Sequence, residues 1–384
     1  MDTGKKAEAY YGVVIGGWHY NALGIIRSLG EKGVPVYFIN EKEGGAAEVS
    51  KYTKKTYRLK DGVSFVDLLR QIVAENGGVP VLFPSGDQSA LLIDEKYEQL
   101  KDWCICPGFA GQAAHFMDKS VMGQFAEQAG FVVPASQVVS CSGGELPALE
   151  YPIILKPLKS VDGPKSDIAI CRNEQEAQAG LRDFHEKGYP NVLAQHFVHG
   201  QSNVIVGYSG CRAGGRIELH GEVQKIREFP VGRGSTSFAH VSDSIAAIDE
   251  GCIRRFMDAV DYDGIFDLDI KIVDGVPYFL ESNFRNGGLS YAYTVAGFNI
   301  PYTWFCLKTG RAVEPPHVTP CNLMCERDDF ENLRARQISL FHWLRDIVST
   351  KATMEFNRAD PQPFIHVYGK AIYLALSCLF RNVK

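Results

Sequence analysis

Three oxygen-bearing side chains and one guanidinium lie close together in the sequence between residues 269 and 285. Asp269 lies within one apolar run, and Glu281, Asn283 and Arg285 follow a second run at intervals of two. Carboxylate and amide oxygens are the ligands that Mg²⁺ prefers, and Mg²⁺ usually shares its sites with nucleotide phosphates. A guanidinium beside them can hold a phosphate or carboxylate through two hydrogen bonds. The spacing therefore indicates a magnesium–nucleotide site, and a solvated, charged strand face is the alternative.

These residues depend on a β-hairpin predicted between Ile265 and Asn283. A three-residue loop, Val273-Asp274-Gly275, keeps the odd-numbered residues of both strands on one face. That charged face carries Asp267, Asp269, Lys271, Glu281 and Asn283, and the buried face carries Phe266, Leu268, Ile270, Ile272, Tyr278 and Leu280. A two-residue loop would instead place Asp269 and Glu281 on opposite faces. The metal-site hypothesis therefore requires one particular hairpin register.

Lysines elsewhere in the chain are candidates for contacting the same anion. Lys156 interrupts the apolar strand PIILKP, where a buried ammonium is costly unless an anion meets it. An edge-strand lysine whose amine reaches solvent is the alternative. Lys119 opens a predicted helix, and Lys225, Arg227 and Arg233 lie on a later strand and its flexible arm. We expect these last three either to bind a second anion or to be solvated.

Four further residues are candidates for contacting a substrate. Asp87 follows the strand VPVLFP, and open α/β sheets bind ligands at the carboxyl ends of their strands. Asp87 is equally well placed to cap the helix that follows. Gly287, Gly288 and Ser290 come directly after Arg285 and could offer backbone and hydroxyl donors to an acid. A turn that needs a positive φ is the other explanation for the two glycines.

The strands and helices predicted along the chain, which would position these residues, indicate an α/β protein of three parts. Residues 10–40 read as strand, helix and strand, without the glycine fingerprint of dinucleotide sites. Further strands and helices complete an open parallel sheet of about four strands. From His115 a mixed α+β pattern follows, and past Arg311 the chain becomes irregular and then helical from Glu331 to about Thr350. We expect domains at 1–114 and 115–312 and a helical C-terminal extension at 313–384.

Composition narrows the function classes. The 384 residues carry a net charge of −5 and no basic run, which argues against nucleic acid as a partner. The ten cysteines lack zinc-ligand spacing, and no signal segment opens the chain, so we expect a reduced, cytoplasmic protein. The apolar run Ala371–Phe380 is too short to span a bilayer. A docked terminal helix is the favoured interpretation of that run, peripheral membrane contact is the alternative, and a homodimer remains open.

In the order and spacing of these residues, residues 10–310 resemble the ATP-grasp superfamily. The opening Gly16-Gly17, the step LFPSGD and the segment SNFRNGGLSY are most similar to the D-aspartate ligase group. The resemblance implies an open parallel α/β domain followed by a two-lobed ATP-grasp fold. It also implies an ADP-forming carboxylate–amine ligase that uses ATP and Mg²⁺ (or Mn²⁺). Such an enzyme activates a carboxylic acid, here expected to be an amino acid, as an acyl phosphate and couples it to an amine.

The resemblance also implies a role for each candidate residue. Lys119 and Lys156 would contact phosphates, Asp269, Glu281 and Asn283 would bind metal, and Arg285 would steady the transferring group, with Lys156 and Arg285 as the catalytic pair. Nucleotide contacts would further include Lys225, Ser202 and the adenine hinge Gln195, His196, Phe197 and Val198. The loop from Lys159 to Asp167 would close over the triphosphate.

Two features depart from the family pattern. Neutral residues follow Gly200 where a ribose-binding acid is expected, and the phosphate loop has only Gly163 in its middle. An ATP-grasp kinase or carboxylase, which would use the same metal site with another acceptor, is one alternative function. A nucleotide- or amino-acid-sensing module without turnover is another, and an oxidoreductase is disfavoured by the missing glycine fingerprint.

Overall fold

A computed structural model describes residues 9–42, 44–143, 146–163, 167–200, 203–231 and 235–369. The strands are β1 (Tyr10–Gly16), β2 (Val36–Asn40), β3 (Thr53–Arg58), β4 (Val79–Pro84), β5 (Ser136–Ser140), β6 (Ile153–Pro157), β7 (Ala169–Cys171), β8 (Asn191–His196), β9 (Asn203–Ala213), β10 (Arg216–Leu219), β11 (Glu222–Phe229), β12 (Ser235–Ser242), β13 (Gly264–Val273), β14 (Val276–Asn283), β15 (Cys321–Met324) and β16 (Thr350–Thr353). The helices are α1 (Tyr20–Gly30), α2 (Phe65–Asn76), α3 (Asp87–Glu95), α4 (Tyr97–Leu100), α5 (Ala113–Phe116), α6 (Lys119–Gln128), α7 (Glu174–Glu186), α8 (Glu250–Ala259), α9 (Ser290–Ala296), α10 (Ile300–Thr309), α11 (Glu326–Arg334) and α12 (Leu340–Ser349).

The N-terminal part is an open parallel sheet, as the sequence predicts. Its strands run in the order β3-β2-β1-β4, with all neighbours parallel. Nearly every residue of β1 is buried, as expected for a parallel strand covered on both faces. Ile105 bridges Val81 at the edge of this sheet, close to the strand predicted near Trp103. The strand β3 was not predicted, because its Thr-Lys-Lys-Thr pattern has few apolar residues.

Two further sheets form the lobes expected of the second part. The smaller sheet has the antiparallel order β5-β8-β6-β7 and packs against α7. The larger sheet has eight strands in the order β14-β13-β9-β11-β12-β15-β16, with β10 paired to β9. The predicted α/β fold with a two-lobed second part is therefore confirmed. The domain boundaries at residues 114 and 312 stay predictions.

The hairpin of β13 and β14 differs from its prediction at the turn but keeps the required pairing. Its loop has two residues, Asp274 and Gly275, both with positive φ, and Val273 pairs with Val276. This loop alone would put Glu281 opposite Leu268 in the core. A β-bulge at Leu280 adds one residue and restores the pairing of Asp269 with Glu281 and of Asp267 with Asn283.

The bulge also corrects the predicted buried face. On β14 the buried residues are Phe279 and Ser282, whereas Tyr278 and Leu280 are only partly buried. On β13, Phe266, Leu268 and Ile270 are buried as predicted, whereas Ile272 is only partly buried. Ile265 and Val273 are buried as well.

The C-terminal extension is helical in part, and it also supplies two strands that the sequence analysis did not predict. β15 pairs with β12, and β16 lies parallel to β15. The single helix expected from Glu331 to Thr350 is wrong, because the chain breaks between α11 and α12, where Arg336 has a φ of 58°. Residues 362–369 are helical. The run Ala371–Phe380 and its proposed docking lie outside the described residues.

Two further expectations concern cysteines and membranes. The cysteines in the described part of the chain are all free, and most are buried. No helix in that part is long and apolar enough to cross a membrane.

Candidate functional site

A cleft opens on the face of the large sheet that carries the predicted acids. Its walls come from β9, β11, β12, β13 and α9. The lining residues are Ile205, Gly207, Ser209, Val223, Lys225, Thr236, Asp267, Asp269, Leu289 and Tyr293. The cleft therefore contains Asp269 and Lys225 among the predicted residues, and it adds Asp267.

The proposed metal ligands are brought together by strand pairing. Asp269 lies opposite Glu281, and Asp267 lies opposite Asn283, so the side chains of each pair start about 5 Å apart on one face. Asn283 Oδ1 accepts a hydrogen bond from Arg285 Nη2 at 2.9 Å, and an amide oxygen keeps a second lone pair for a metal. No three His, Cys, Asp or Glu side chains in the described ranges converge as a metal cluster. The donor set of two carboxylates and one amide fits Mg²⁺ that takes its other ligands from phosphates and water.

Three cations from separate elements surround Glu281. The ammonium of Lys119, the first residue of α6, lies 3.8 Å from Glu281 Oε2 and donates to Ser160 Oγ at 2.8 Å. Lys156 on β6 and Arg285 after β14 both interact electrostatically with the Glu281 carboxylate. Cations placed beside carboxylates in this way suit a polyanionic ligand that carries a divalent metal.

Lys156 lies on β6 opposite Leu193 of β8, one residue beyond the end of the pairing between β6 and β7, and its side chain is partly buried. Its ammonium donates to Gln195 Oε1 at 2.9 Å. Burial lowers the pKa of Lys156 to about 8; the Glu281 carboxylate raises it and the Lys119 ammonium lowers it further. The chain thus holds a desolvated cation at a place where an anion would stabilise it.

Arg285 joins the hairpin to the N-terminal sheet. Its Nε donates to Asp87 Oδ1 at 3.0 Å, and its Nη1 donates to the Asn286 carbonyl at 3.1 Å. Burial disfavours its charge, but the nearby carboxylates of Asp87, Asp267 and Glu281 raise the pKa of Arg285. Asp87 is not the helix cap, because α3 begins at Asp87 and its N-cap residue is Gly86.

The predicted adenine hinge begins within the last residues of β8, and contacts within the protein already hold it in place. The backbone N–H of His196 donates to the Ala135 carbonyl, and that of Phe197 donates to the Pro152 carbonyl. Lys271 donates to the Val198 carbonyl at 2.8 Å, and its ammonium lies 4.9 Å from the centre of the Phe197 ring. Lys271, which had no role in the sequence analysis, therefore fixes the hinge to β13.

The surroundings of the two glycines that are candidates for contacting the substrate, Gly287 and Gly288, differ. Neither Gly287 nor Gly288 has a positive φ, so the turn explanation is wrong for both. A Cβ on Gly287 would lie 2.5 Å from Asp267 Cγ, whereas a Cβ on Gly288 would meet only ordinary contacts with His19 and Tyr20. Ser290 begins α9, and its hydroxyl is buried without a hydrogen-bond partner in the described part of the chain.

Some of the remaining candidate residues lie outside the described part of the chain, and others lie within it. Ser202 and Arg233 lie outside the described residues, as do residues 164–166 of the phosphate loop. Lys225 lines the cleft and forms an ion pair with Glu228 at 2.8 Å. Arg227 is not available for a second anion, because it forms ion pairs with Asp329 and Asp346 of the C-terminal extension.

Two cleft residues, Gly207 and Ser209, were not identified from the sequence because their significance depends on their strand neighbours. Gly207 lies opposite Asp269 on β9, and a Cβ there would meet atoms no closer than 3.9 Å, so packing does not require a glycine. A strand glycine without a packing reason is typical of a place where a ligand approaches the backbone. Ser209 donates a short hydrogen bond to Asp267 and orients that carboxylate beside Arg285.

Solved structures share the overall fold of this chain. The chain is similar to an L-amino acid ligase from Bacillus licheniformis, with a TM-score of 0.59 and 15% identity over 79% of this chain and 75% of that one. It is similar to N5-carboxyaminoimidazole synthetase from Staphylococcus aureus complexed with ADP, with a TM-score of 0.63 and 14% identity over 84% and 86%. The chain has the ATP-grasp fold.

A third similar structure is the biotin carboxylase domain of the Hydrogenobacter thermophilus 2-oxoglutarate carboxylase, solved with MgADP and bicarbonate. Its TM-score is 0.58 and its identity 17% over 80% of this chain and 71% of that one. No protein-family model matches the sequence, and no curated protein matches it either. At these identities the likeness establishes the fold, and the ATP-grasp chemistry of this chain has to be argued from its own side chains.

Proposed function

We propose that this protein is an ATP-dependent ligase that activates a carboxylic acid as an acyl phosphate and couples it to an amine, with release of ADP. The observation that carries the proposal is the convergence of Lys119, Lys156 and Arg285 on Glu281, which strand pairing sets opposite Asp269. Cations from α6, the small sheet and the hairpin meet one pair of carboxylates. A triphosphate with its metal supplies the opposite charge pattern.

The chemistry needs no protein nucleophile. A carboxylate oxygen of the acid attacks the γ-phosphorus of ATP, the bond to the β-phosphate oxygen breaks, and ADP leaves. The amine then attacks the acyl carbon and displaces phosphate, forming an amide. Positioning and charge neutralisation dominate phosphoryl transfer, and the roles of the residues follow from that demand.

In this reaction, each of the three cations would stabilise negative charge on ATP or on the acyl phosphate. Lys119 and Lys156 neutralise phosphate oxygens, and Arg285, held by Asp87, stabilises the transferring phosphoryl group and the acyl phosphate. Asp269, Glu281 and Asn283 would hold Mg²⁺, which neutralises the β- and γ-phosphates when bound. Gln195, His196, Phe197 and Val198 would receive the adenine at the braced hinge, with Lys225 and Ser202 as further nucleotide contacts.

The substrate class is also part of the proposal. The likeness to an L-amino acid ligase and the resemblance of the segments around Gly16 and Arg285 to the D-aspartate ligase group support an amino acid as the acid. Asp87, Gly287, Gly288 and Ser290 would line its site, next to Arg285. A carboxylase of the same fold would bind bicarbonate at the site of the acid. Bicarbonate is therefore tested together with the amino acids.

The experiment is a phosphate-release screen of amino acids and bicarbonate against a panel of amines, with ATP and Mg²⁺. We expect release only when an acid, an amine and Mg-ATP are all present. The variants Glu281→Gln and Lys156→Ala should reduce turnover by about 10²-fold or more, because each removes charge stabilisation at the transferring group. The matched control is Glu98→Gln, since Glu98 is an exposed acid of the N-terminal part that pairs with Lys101.

Three outcomes would contradict the proposal in different ways. Unchanged turnover in Glu281→Gln or Lys156→Ala would contradict the site. If bicarbonate alone supports ADP formation, the proposed amide formation is wrong and a carboxylation takes its place as the proposed reaction. Nucleotide binding without release for any pair of substrates would favour a sensing module.

A further inference from the structure

Asp267 lies in the cleft and has no part in the proposed metal site. It lines the cleft together with Asp269, two positions away on β13, so the two acids share one face of the strand with their backbones about 7 Å apart. Lys271 lies a further two positions along β13 and donates to the Val198 carbonyl of the predicted adenine hinge. Along this face, β13 therefore carries a residue at the hinge, an acid at the proposed metal site and then a further acid.

The binding mode proposed for ATP places the acid substrate next to Asp267. A nucleotide with its adenine at the hinge and its phosphates at Asp269 and Glu281 extends along β13 toward Asp267. The terminal phosphate is then the part of the nucleotide closest to Asp267, because it is the part farthest from the adenine. The carboxylate that attacks this phosphate approaches from the same end. Asp267 is therefore beside the acid substrate and away from the base.

Contacts on two sides hold the Asp267 carboxylate in position. On one side, the hydroxyl of Ser209 on β9 donates a short hydrogen bond to Asp267 Oδ1. On the other side lies the backbone of Gly287, where a Cβ would be 2.5 Å from Asp267 Cγ. The Gly287 carbonyl accepts a hydrogen bond from the Ser290 N–H at 3.1 Å, which closes the turn around it. A carboxylate that is already ordered loses little conformational freedom when a ligand binds.

The charges near Asp267 correspond to those of an α-amino acid. The Arg285 guanidinium and the Asp267 carboxylate interact electrostatically, so a cation and an anion lie near each other at this position. A guanidinium binds a carboxylate through two hydrogen bonds, and a carboxylate binds an ammonium. An α-amino acid carries both groups on one carbon atom. Bicarbonate or a simple carboxylic acid carries only negative charge, which the Asp267 carboxylate would repel.

We propose that Asp267 binds the α-ammonium of the amino acid whose carboxylate is activated, and so selects α-amino acids over acids that lack an amino group. This inference rests on the proposed function and extends it to the residue that recognises the substrate. Arg285 takes the carboxylate and Asp267 the ammonium of one substrate molecule. The Asp267 carboxylate and the ammonium form a hydrogen-bonded ion pair, and the binding requires no proton transfer.

The test is calorimetric binding to the full-length chain in the presence of Mg-ADP, so that it does not depend on turnover. The probes are the common α-amino acids as both enantiomers, and the amino acid that binds most tightly is compared with its α-hydroxy analogue. We expect the hydroxy analogue to bind at least about tenfold more weakly to the wild type, because the charged hydrogen bond is lost.

Variants of three aspartates assign the effect to Asp267. Asp267→Asn should bind the amino acid about tenfold more weakly or worse and lose the preference over the hydroxy analogue, with an unchanged affinity for Mg-ADP. Asp269→Asn should instead weaken Mg-ADP binding. The matched control is Asp243→Asn, because Asp243 is an exposed aspartate directly after β12 of the same sheet, and this variant should bind both ligands like the wild type.

Four results would overturn the inference. They are an absence of amino-acid binding by the wild type, equal binding of the amino acid and its hydroxy analogue, unchanged amino-acid affinity in Asp267→Asn, and a loss of Mg-ADP affinity in Asp267→Asn equal to that in Asp269→Asn. The last result would make Asp267 a metal ligand. Amino-acid binding that depends on Asp267, without ADP formation in the phosphate-release screen, would support the inference and contradict the ligase reaction.

Discussion

Lys156 is predicted to destabilise the folded protein, and replacing it with methionine should reveal the cost. Burial lowers its pKa from 10.5 to about 8. At 1.36 kcal/mol for each pH unit, that difference corresponds to about 3 kcal/mol against the folded state. Lys156→Met keeps the length of the side chain and removes the charge. The lost hydrogen bond to Gln195 offsets about 1 kcal/mol of the gain, so we expect a net stabilisation of about 2 kcal/mol at neutral pH.

The sign of the pH dependence follows from the two pKa values. Below about pH 8 the amine is charged in both states, and the folded state bears the full cost. Between about pH 8 and pH 10.5 the unfolded chain binds more protons than the folded chain, so the stability of the wild type rises with pH. The advantage of Lys156→Met should therefore shrink by about 1 kcal/mol between about pH 7 and about pH 9.

The assay is thermal unfolding of both proteins without nucleotide at these two pH values, together with ADP binding at neutral pH. Lys156→Met should melt at the higher temperature and bind ADP at least about tenfold more weakly, because a charge-assisted contact is lost. Lys156→Arg is the control that keeps the charge, and it should show no gain in stability.

One result would refute this reasoning directly. If Lys156→Met is less stable than the wild type at neutral pH, with a difference that does not vary with pH, then the ammonium is already compensated in the free protein. The inference that the site holds a cation in need of an anion would then fail.

Three further predictions concern side chains around the cleft. Asp87→Asn should lower kcat about tenfold with little change in ADP affinity, because it releases Arg285; steady-state kinetics checks this, and a change in ADP affinity alone would contradict it. Lys271→Met should raise the KM for ATP about tenfold by freeing the Val198 carbonyl, whereas an unchanged KM would remove Lys271 from the hinge. Gly287→Ala should destabilise the fold by about 1–3 kcal/mol, since its Cβ would lie 2.5 Å from Asp267 Cγ, and an unchanged melting temperature would contradict that contact.

The order of elements and the identity of the charged residues could be predicted because both are local properties. The apolar run of β1, the helix α2 and the strand around Lys156 each carry their own periodicity or composition. The contacts that give the site its character are not local. Arg285 meets Asp87, which is almost two hundred residues away in the chain, and nothing in either segment specifies the partner.

The strands β15 and β16 were missed for a related reason. Each has four residues, and β16 reads as polar. β15 pairs with β12 and β16 with β15, and a buried ion pair between Arg27 of α1 and Asp360 attaches the extension to the N-terminal part. Arg27 and Asp360 are both fully buried, and a single charged residue in a sequence gives no indication that its partner is buried with it.

The hairpin of β13 and β14 shows which features of the site a residue pattern can specify and which depend on an irregularity of the backbone. Asp274-Gly275 is a sequence signal for a two-residue turn, and that turn, extended regularly, would place Glu281 opposite Leu268 in the core. A carboxylate in that position would be unpaired and costly, so the alternation of residues and the turn signal are incompatible. The bulge at Leu280 resolves the conflict: Lys271 lies opposite Tyr278 near the turn, and Asp269 lies opposite Glu281 beyond it. One extra residue on β14 therefore brings Glu281, the acid that faces the three cations, to the same side of the hairpin as Asp269 and Lys271.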